Sequence, residues 1–386
     1  MEKNNLSKVT INLPNTFTEI LKKINENELG ILFVVKKNFE LIGSISDGDI
    51  RRVLLKKENY NDIITEESIL INKEPISLPS TCDVSKIQEI LNSEVDHKTV
   101  RCIPLIDHEN RIVDYSTREN ARKFPMLEPT IGKEELFNVT DAIKSGWISS
   151  KGGYLSKFEK SFSSYLKGGY SVAVSSGTTA LQVALSALGV KSGDEVIVPN
   201  FTFGASINSI INCGATPVIA DVEKETWTID VTKLKRLISS STKAIMPVHI
   251  YGQPCKMDEI KEFAKQHNLL IIEDCAEAVG ATYKKKLVGT GSDCCCFSFF
   301  ANKTITTGEG GMAVFKSEEI AKKARKLINH GLSSQTRYYH ESVGYNFRMT
   351  NMQAAIGVAQ IEKIKILLKK RKDIFLNYDK ILKNEK

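Results

Sequence analysis
Cys296-Phe297-Ser298-Phe299-Phe300-Ala301-Asn302-Lys303-Thr304-Ile305-Thr306-Thr307-Gly308-Glu309-Gly310-Gly311 is the stretch on which the reading of this chain turns. It opens as an apolar run fit for a buried strand, carries one lysine into a turn of small residues, and restarts as a second strand over 312–315. A lone lysine is ordinarily solvated surface. Here the flanks argue otherwise. A glycine-rich turn lets backbone approach a ligand closely, and a lysine whose surroundings exclude water has its pKa lowered, which leaves a neutral amine able to attack a carbonyl.

Working outward from Lys303, strand and helix signals alternate at 172–175, 179–188, 195–199, 205–213, 217–221, 244–249, 257–267 and 269–273. That alternation predicts an α/β unit, a mostly parallel sheet with helices on both faces. Ser175-Ser176-Gly177-Thr178-Thr179 follows a strand and opens a helix, where free N–H groups and the helix dipole suit a phosphate. Ordinary N-capping by serine and threonine is the plain alternative. Asp274 ends the 269–273 strand, at the edge where open α/β sheets bind ligands, although a carboxylate that caps the next helix would look the same.

FSFFANKTITTGEGG, residues 297–311, closely resembles the segment around the cofactor-bearing lysine in the pyridoxal-phosphate-dependent sugar aminotransferases of the DegT/DnrJ/EryC1/StrS family. The resemblance runs from about Glu128 to the end of the chain and includes Ser145-Gly146-Trp147-Ile148-Ser149. It implies the large domain of a fold-type I enzyme and a pyridoxal 5'-phosphate cofactor on Lys303. It places Ser176, Gly177, Thr178 and Ser298 at the cofactor phosphate, Asp274 on the pyridine nitrogen, and Phe203 and Ala276 on the two ring faces. Asn346 is implied to reach the phosphate of a neighbouring subunit, hence a homodimer. Glu277 stands near the cofactor's phenolic oxygen where many members have glutamine, and perosamine-type C4 sugar aminotransferases resemble this chain there. Two anions at that point would repel unless one carries a proton. A dehydratase subgroup has histidine in place of the lysine, so Lys303 argues for amino transfer. The expected activity is transfer of an amino group, from glutamate, to the 4-keto carbon of a nucleotide-linked 4-keto-6-deoxyhexose for surface polysaccharide or glycan synthesis.

Residues 1 to about 120 read as a separate α+β unit with an internal repeat. Strands at 31–35 and 41–45 flank the turn at Lys37-Asn38 and lead into a helix from Asp49; strands at 102–106 and 111–115 flank a second turn. The repeat resembles a tandem pair of CBS motifs, a module that often takes adenine nucleotides between its halves. Ser46-Asp47-Gly48-Asp49 fits that family's pattern, which implies a ribose contact for Asp49; a carboxylate that serves only its own helix N-terminus is the alternative. Asn120 stands where the second copy should have aspartate, so one nucleotide is expected. The expected domains are therefore a CBS-like module over 1–120, a linker over 121–129 and an aminotransferase domain over 130–386.

Composition narrows the rest. The 386 residues are 41% hydrophobic and 26% charged, with a formal charge of +7 spread along helices, which favours solvated faces over nucleic-acid binding. No apolar run approaches a membrane span and the N-terminus lacks a signal-peptide pattern, so the cytoplasm is expected. Eight cysteines without paired CxxC motifs argue for buried reduced thiols and no metal, with Cys294, Cys295 and Cys296 alternating between two faces of a strand. Members of the family continue beyond the basic helix at 361–378 into a small domain that completes the substrate cleft, so a stop at Lys386 implies an incomplete small domain. The rival expectation that follows is a nucleotide-responsive CBS protein with an inactive aminotransferase part.

Overall fold
A computed structural model describes residues 6–55, 63–92, 94–95, 98–118, 129–333 and 335–383. The chain forms two compact units, Met1–Met126 and Leu127–Lys386.

In the first unit the repeat is visible as repeated topology. Strand β1 (Thr10–Ile11), helix α1 (Phe17–Asn27), β2 (Ile31–Val35), β3 (Leu41–Ser46) and α2 (Asp47–Leu55) are followed by β4 (Leu78–Pro79), α3 (Val84–Asn92), β5 (Cys102–Ile106) and β6 (Ile112–Thr117). β1 runs parallel to β2, which pairs antiparallel with β3; β4, β5 and β6 repeat that order. Even the turns match: Lys36 N–H donates to Glu40 O and Asp107 N–H to Arg111 O, with Phe39 and Asn110 both at positive φ. A two-layer unit this small buries its apolar faces only against its twin, and Phe33 and Val35 share one buried cluster with Cys102 and Ile112. Asn120 and the linker through residue 128 lie outside the described residues.

The second unit opens with α4 (Lys133–Lys144) and α5 (Gly153–Leu166). It continues through β7 (Tyr170–Val174), α6 (Gly177–Ala187), β8 (Glu195–Pro199), α7 (Gly204–Asn212), β9 (Thr216–Ala220), β10 (Thr242–Ile245), α8 (Met257–Gln266) and β11 (Leu270–Asp274). β12 (Cys294–Ser298), β13 (Gly311–Phe315), α9 (Glu318–Leu327), α10 (Asn351–Glu362) and α11 (Ile364–Leu382) complete it. Seven strands form one sheet in the order β7-β13-β12-β11-β10-β8-β9. All neighbours are parallel except the pairs made by β13, which returns antiparallel between β12 and β7. The cysteines of β12 alternate as expected: Cys294 and Cys296 enter the core beneath α6, and Cys295 enters the opposite core with Phe297, where Phe162 meets the Phe297 ring at 4.9 Å. All eight cysteines are free thiols.

Several elements differ from the sequence reading. α1 and α9 were not anticipated, although Thr16 and Ser317 cap them. Neither was α10, which is buried on every side and so lacks the polar face from which helical periodicity is read. Because α10 runs to Glu362, the basic helix expected at 361–378 begins instead at Ile364. Among the described residues no helix is long and apolar enough to cross a membrane.

Candidate active site
The C-terminal ends of β7, β11 and β12 gather around a pocket of about 390 Å³, and the residues read from the sequence converge on it. Ser176, Gly177, Thr178, Phe203, Asp274, Ala276, Glu277, Ser298 and Lys303 all line it, although they come from four segments of chain.

At one end sits the start of α6. Ser176 Oγ accepts the Thr179 N–H at 3.1 Å while Thr179 Oγ1 accepts the Ser176 N–H at 3.0 Å, a reciprocal capping box. The box leaves the N–H groups of Gly177 and Thr178 without intrahelical partners, as the first turn of any helix does, so this end suits an anion. Gly177 is there because nothing larger fits: a Cβ would lie 2.7 Å from that of Ser298.

At the depth of the pocket lies Asp274. Its Oδ2 accepts the Ser206 hydroxyl at 2.8 Å and its Oδ1 the Ala276 N–H at 3.1 Å. Burial pushes its carboxyl above the usual carboxylate range, and those two neutral donors only partly oppose it. Among the described residues Asp274 has no ion-pair partner, so a buried carboxyl group is left facing the pocket with room for a cation. Phe203, at the N-cap of α7, is 78% exposed and presents a free ring beside it.

Lys303 closes the site. The turn that carries it is set by its own N–H on Phe300 O at 3.0 Å. Its Nζ lies 3.3 Å from Glu277 Oε1, while Glu277 Oε2 accepts the Tyr251 N–H at 2.8 Å. The carboxylate is thus held at one oxygen and faces the amine with the other. Asn346 does not line the pocket; it is exposed, and its Oδ1 accepts two bonds from Arg348, at 2.9 and 3.3 Å.

Sequence reasoning missed the layer behind these groups. Ser206 is fully buried and is itself bonded to Thr202 Oγ1 at 2.7 Å; hydroxyls four apart at the start of a helix were the available signal. His249 Nδ1 accepts the Cys255 N–H at 3.0 Å, so the ring's proton sits on Nε2, 3.0 Å from Glu273 Oε2. Burial alone would raise the Glu273 carboxyl; bonds from His249, Ser292 and Gly289 outweigh it and hold the group low. His249, Glu273 and Cys275 place ligand-type atoms within 4.8 Å of one another, but the imidazole and carboxylate are saturated by these bonds, as in a structural network.

The whole constellation fits pyridoxal phosphate: unpartnered N–H groups for a phosphate, a buried carboxylate lacking a cation for the pyridine nitrogen, an open aromatic face and an amine. A profile of the DegT/DnrJ/EryC1/StrS aminotransferase family matches residues 129–386. The chain belongs to that family. Its cofactor is therefore pyridoxal phosphate, and the second unit is a fold-type I large domain. The chain is 49% identical over 250 residues to GDP-perosamine synthase of Vibrio cholerae, covering 65% of this chain and 68% of that protein. It is 50% identical over 242 residues to the Caulobacter vibrioides GDP-perosamine synthase, covering 63% and 65%. The chain thus spans about two thirds of the length of these curated relatives. Among solved structures, Helicobacter pylori PseC, an aminotransferase involved in pseudaminic acid biosynthesis, matches with a TM-score of 0.65 at 31% identity, over 68% of this chain and 71% of that one. The aminotransferase TlmJ from Streptoalloteichus hindustanus matches with a TM-score of 0.65 at 31% identity, over 68% and 72%. A CBS-domain profile matches residues 6–56, the first repeat of the N-terminal unit.

In that unit a cleft of about 850 Å³ lies between the repeats, lined by Asp49, Arg51 and Arg52 from one and Arg101 from the other. Asp49 is already engaged. Its Oδ2 accepts the Ser46 N–H at 2.8 Å and hydroxyl at 2.5 Å, its Oδ1 pairs with Arg52, and its own N–H donates to Ser46 Oγ at 3.2 Å, a capping box at the start of α2.

Proposed function
We propose that this chain transfers an amino group from glutamate to the 4-keto carbon of a nucleotide-linked 4-keto-6-deoxyhexose, in the cytoplasm, toward surface polysaccharide or glycan synthesis. The observation that carries the reading is the placement of Lys303 Nζ against Glu277, in one pocket with a buried Asp274 that lacks a cation. Near 50% identity to two proteins named GDP-perosamine synthase supports the sugar class.

Bound pyridoxal phosphate supplies an electron sink for the carbon–hydrogen bond at the amino-bearing carbon. The protein does the rest. The Gly177 and Thr178 N–H groups, with Ser298, bind the phosphate and fix the ring's position. Asp274 keeps a proton on the ring nitrogen, and its raised pKa without the cofactor is the counterpart of that need for a cation. Phe203 and Ala276 cover the two ring faces. Lys303 Nζ takes the proton from the donor carbon and returns it on the other side of the exchange, with Glu277 Oε1 holding Nζ between transfers. Exposed Asn346, oriented by Arg348, is suited to reach a second copy of the chain, so the working form is a homodimer. The arginine-rich cleft of residues 1–120 takes one adenine nucleotide, beyond the 121–129 linker from the 130–386 domain.

Incubation with glutamate and GDP-, UDP- or dTDP-linked 4-keto-6-deoxyhexose tests the main reading. Formation of 2-oxoglutarate and an amino sugar in equal amounts is expected with one nucleotide. If 2-oxoglutarate forms from glutamate alone, up to one equivalent, and no keto sugar drives further turnover, the substrate class is wrong.

A further inference from the structure
Residues 302–310, the loop that begins at the catalytic lysine, contain no helix or strand, yet side chains of α10 and α11 grip their backbone at three points. Gln353 Nε2 donates to Glu309 O at 2.8 Å. Gln360 Oε1 accepts the Thr306 N–H at 3.3 Å. Arg371 Nη2 donates to Lys303 O at 2.9 Å and to Asn302 O at 3.3 Å. Gln353 and Gln360, seven residues apart, share one side of α10, and Arg371 comes from α11.

None of the three is free to wander. Gln353 Oε1 also closes the capping box of α10 with Thr350. Gln360 is 1% exposed, and its amide nitrogen is held by Glu135 Oε1 at 2.7 Å and Thr130 O at 2.9 Å, with Lys363 paired to the same Glu135. Arg371 differs: it is exposed, and among the described residues it forms no ion pair, whereas Arg51, Arg111 and Arg325 each pair with a carboxylate. Its guanidinium is spent instead on the carbonyl of the lysine itself.

We infer that Arg371 is a positioning residue for Lys303: of the three holds by which α10 and α11 fix this loop, it is the one on the lysine's own carbonyl, and it so aims Nζ at Glu277. The physical reason lies in the lysine stem. Four methylenes give Nζ wide freedom, so its position is only as good as that of the Cα that carries it, and an error of about 1 Å at a reacting group costs on the order of a hundredfold in rate. The inference rests on the reading of Lys303 as the cofactor lysine.

The test uses the full chain as Arg371→Ala and Arg371→Lys. Backbone amide exchange is followed in the cofactor-free protein, and release of added pyridoxal 5'-phosphate is followed in the loaded protein. Because Arg371 is exposed, Arg371→Ala should melt within a degree or two of the parent. Exchange across 302–310 and release of pyridoxal phosphate should each rise about tenfold, in line with loss of a charge-assisted bond, and Arg371→Lys should recover part of both. Parent-like exchange and release in Arg371→Ala overturn the inference. So does faster exchange throughout the unit with a lowered melting point, which would make Arg371 a packing residue. Borohydride trapping followed by peptide mapping of the parent separates the two readings: a label away from Lys303 sinks the assignment of the lysine, while a label on Lys303 with no Arg371 effect sinks the hold alone.

Discussion
Asp274 ends a strand and Asp49 sits in the first turn of a helix, each beside a pocket, and the two units treat them in opposite ways. Asp274 is buried with two neutral donors and, among the described residues, no ion-pair partner, so its carboxyl group remains to be satisfied by what enters. Asp49 is met by its own helix start and by Arg52, three residues on, so its charge is largely spent before any ligand arrives. A carboxylate left unsatisfied by its surroundings is costly to the empty protein and useful to the loaded one. One that completes a capping box supports the fold first and binds second.

The sharpest break of this contrast removes the amine that Asp274 serves. Lys303→Ala should lower turnover by on the order of a thousandfold or more and leave no borohydride-reducible link between protein and cofactor. Mixed and reassembled with Asn346→Ala, it should regain activity in hybrid dimers that contain one intact site. Absence of recovery despite demonstrated subunit exchange would place Asn346 outside the partner's chemistry.

Asp274→Asn sharpens the contrast by moving activity and stability in opposite directions. An amide does not hold the ring nitrogen protonated, so turnover should fall by about a hundredfold or more while some cofactor still binds. Burial raises the folded-state pKa of Asp274, so the folded cofactor-free protein retains a proton that the unfolded chain has released, and stability is lost as pH rises from the ordinary carboxylate range through the raised value. Asparagine does not titrate. At neutral pH and without cofactor, Asp274→Asn should therefore be the more stable protein, read as a higher melting point. A parent-like or lower melting point would show that Asp274 is better satisfied than its surroundings indicate.

The smallest effect is expected at Asp49. Asp49→Ala removes a capping box and should cost the N-terminal unit about 1 kcal/mol. Titration with an adenine nucleotide should show affinity reduced by about tenfold at most, because the arginines of the cleft remain. Loss of stability with unchanged nucleotide affinity would make Asp49 a structural residue and nothing more.

Much of this molecule could be read from its residues one at a time. The α/β alternation, the capped start of α6, the carboxylate at the end of β11 and the lysine after β12 are local patterns, because strand ends, caps and glycine turns are decided by neighbours in the chain. The repeat was legible too, since the same turn chemistry recurs at Lys36–Glu40 and Asp107–Arg111. What only the tertiary structure decided lies one layer back. Ser206 reaches Asp274 across 68 residues, Tyr251 fixes Glu277 through a backbone N–H that carries no side-chain signature, and Arg371 reaches the Lys303 carbonyl from a helix 68 residues downstream. Helix α10, buried on nearly every side, gave no periodic signal although Gln353 and Gln360 hold the Lys303 loop from it. Such contacts are set by how the sheet stacks its helices, and the identity of a residue does not say which distant backbone group it will meet.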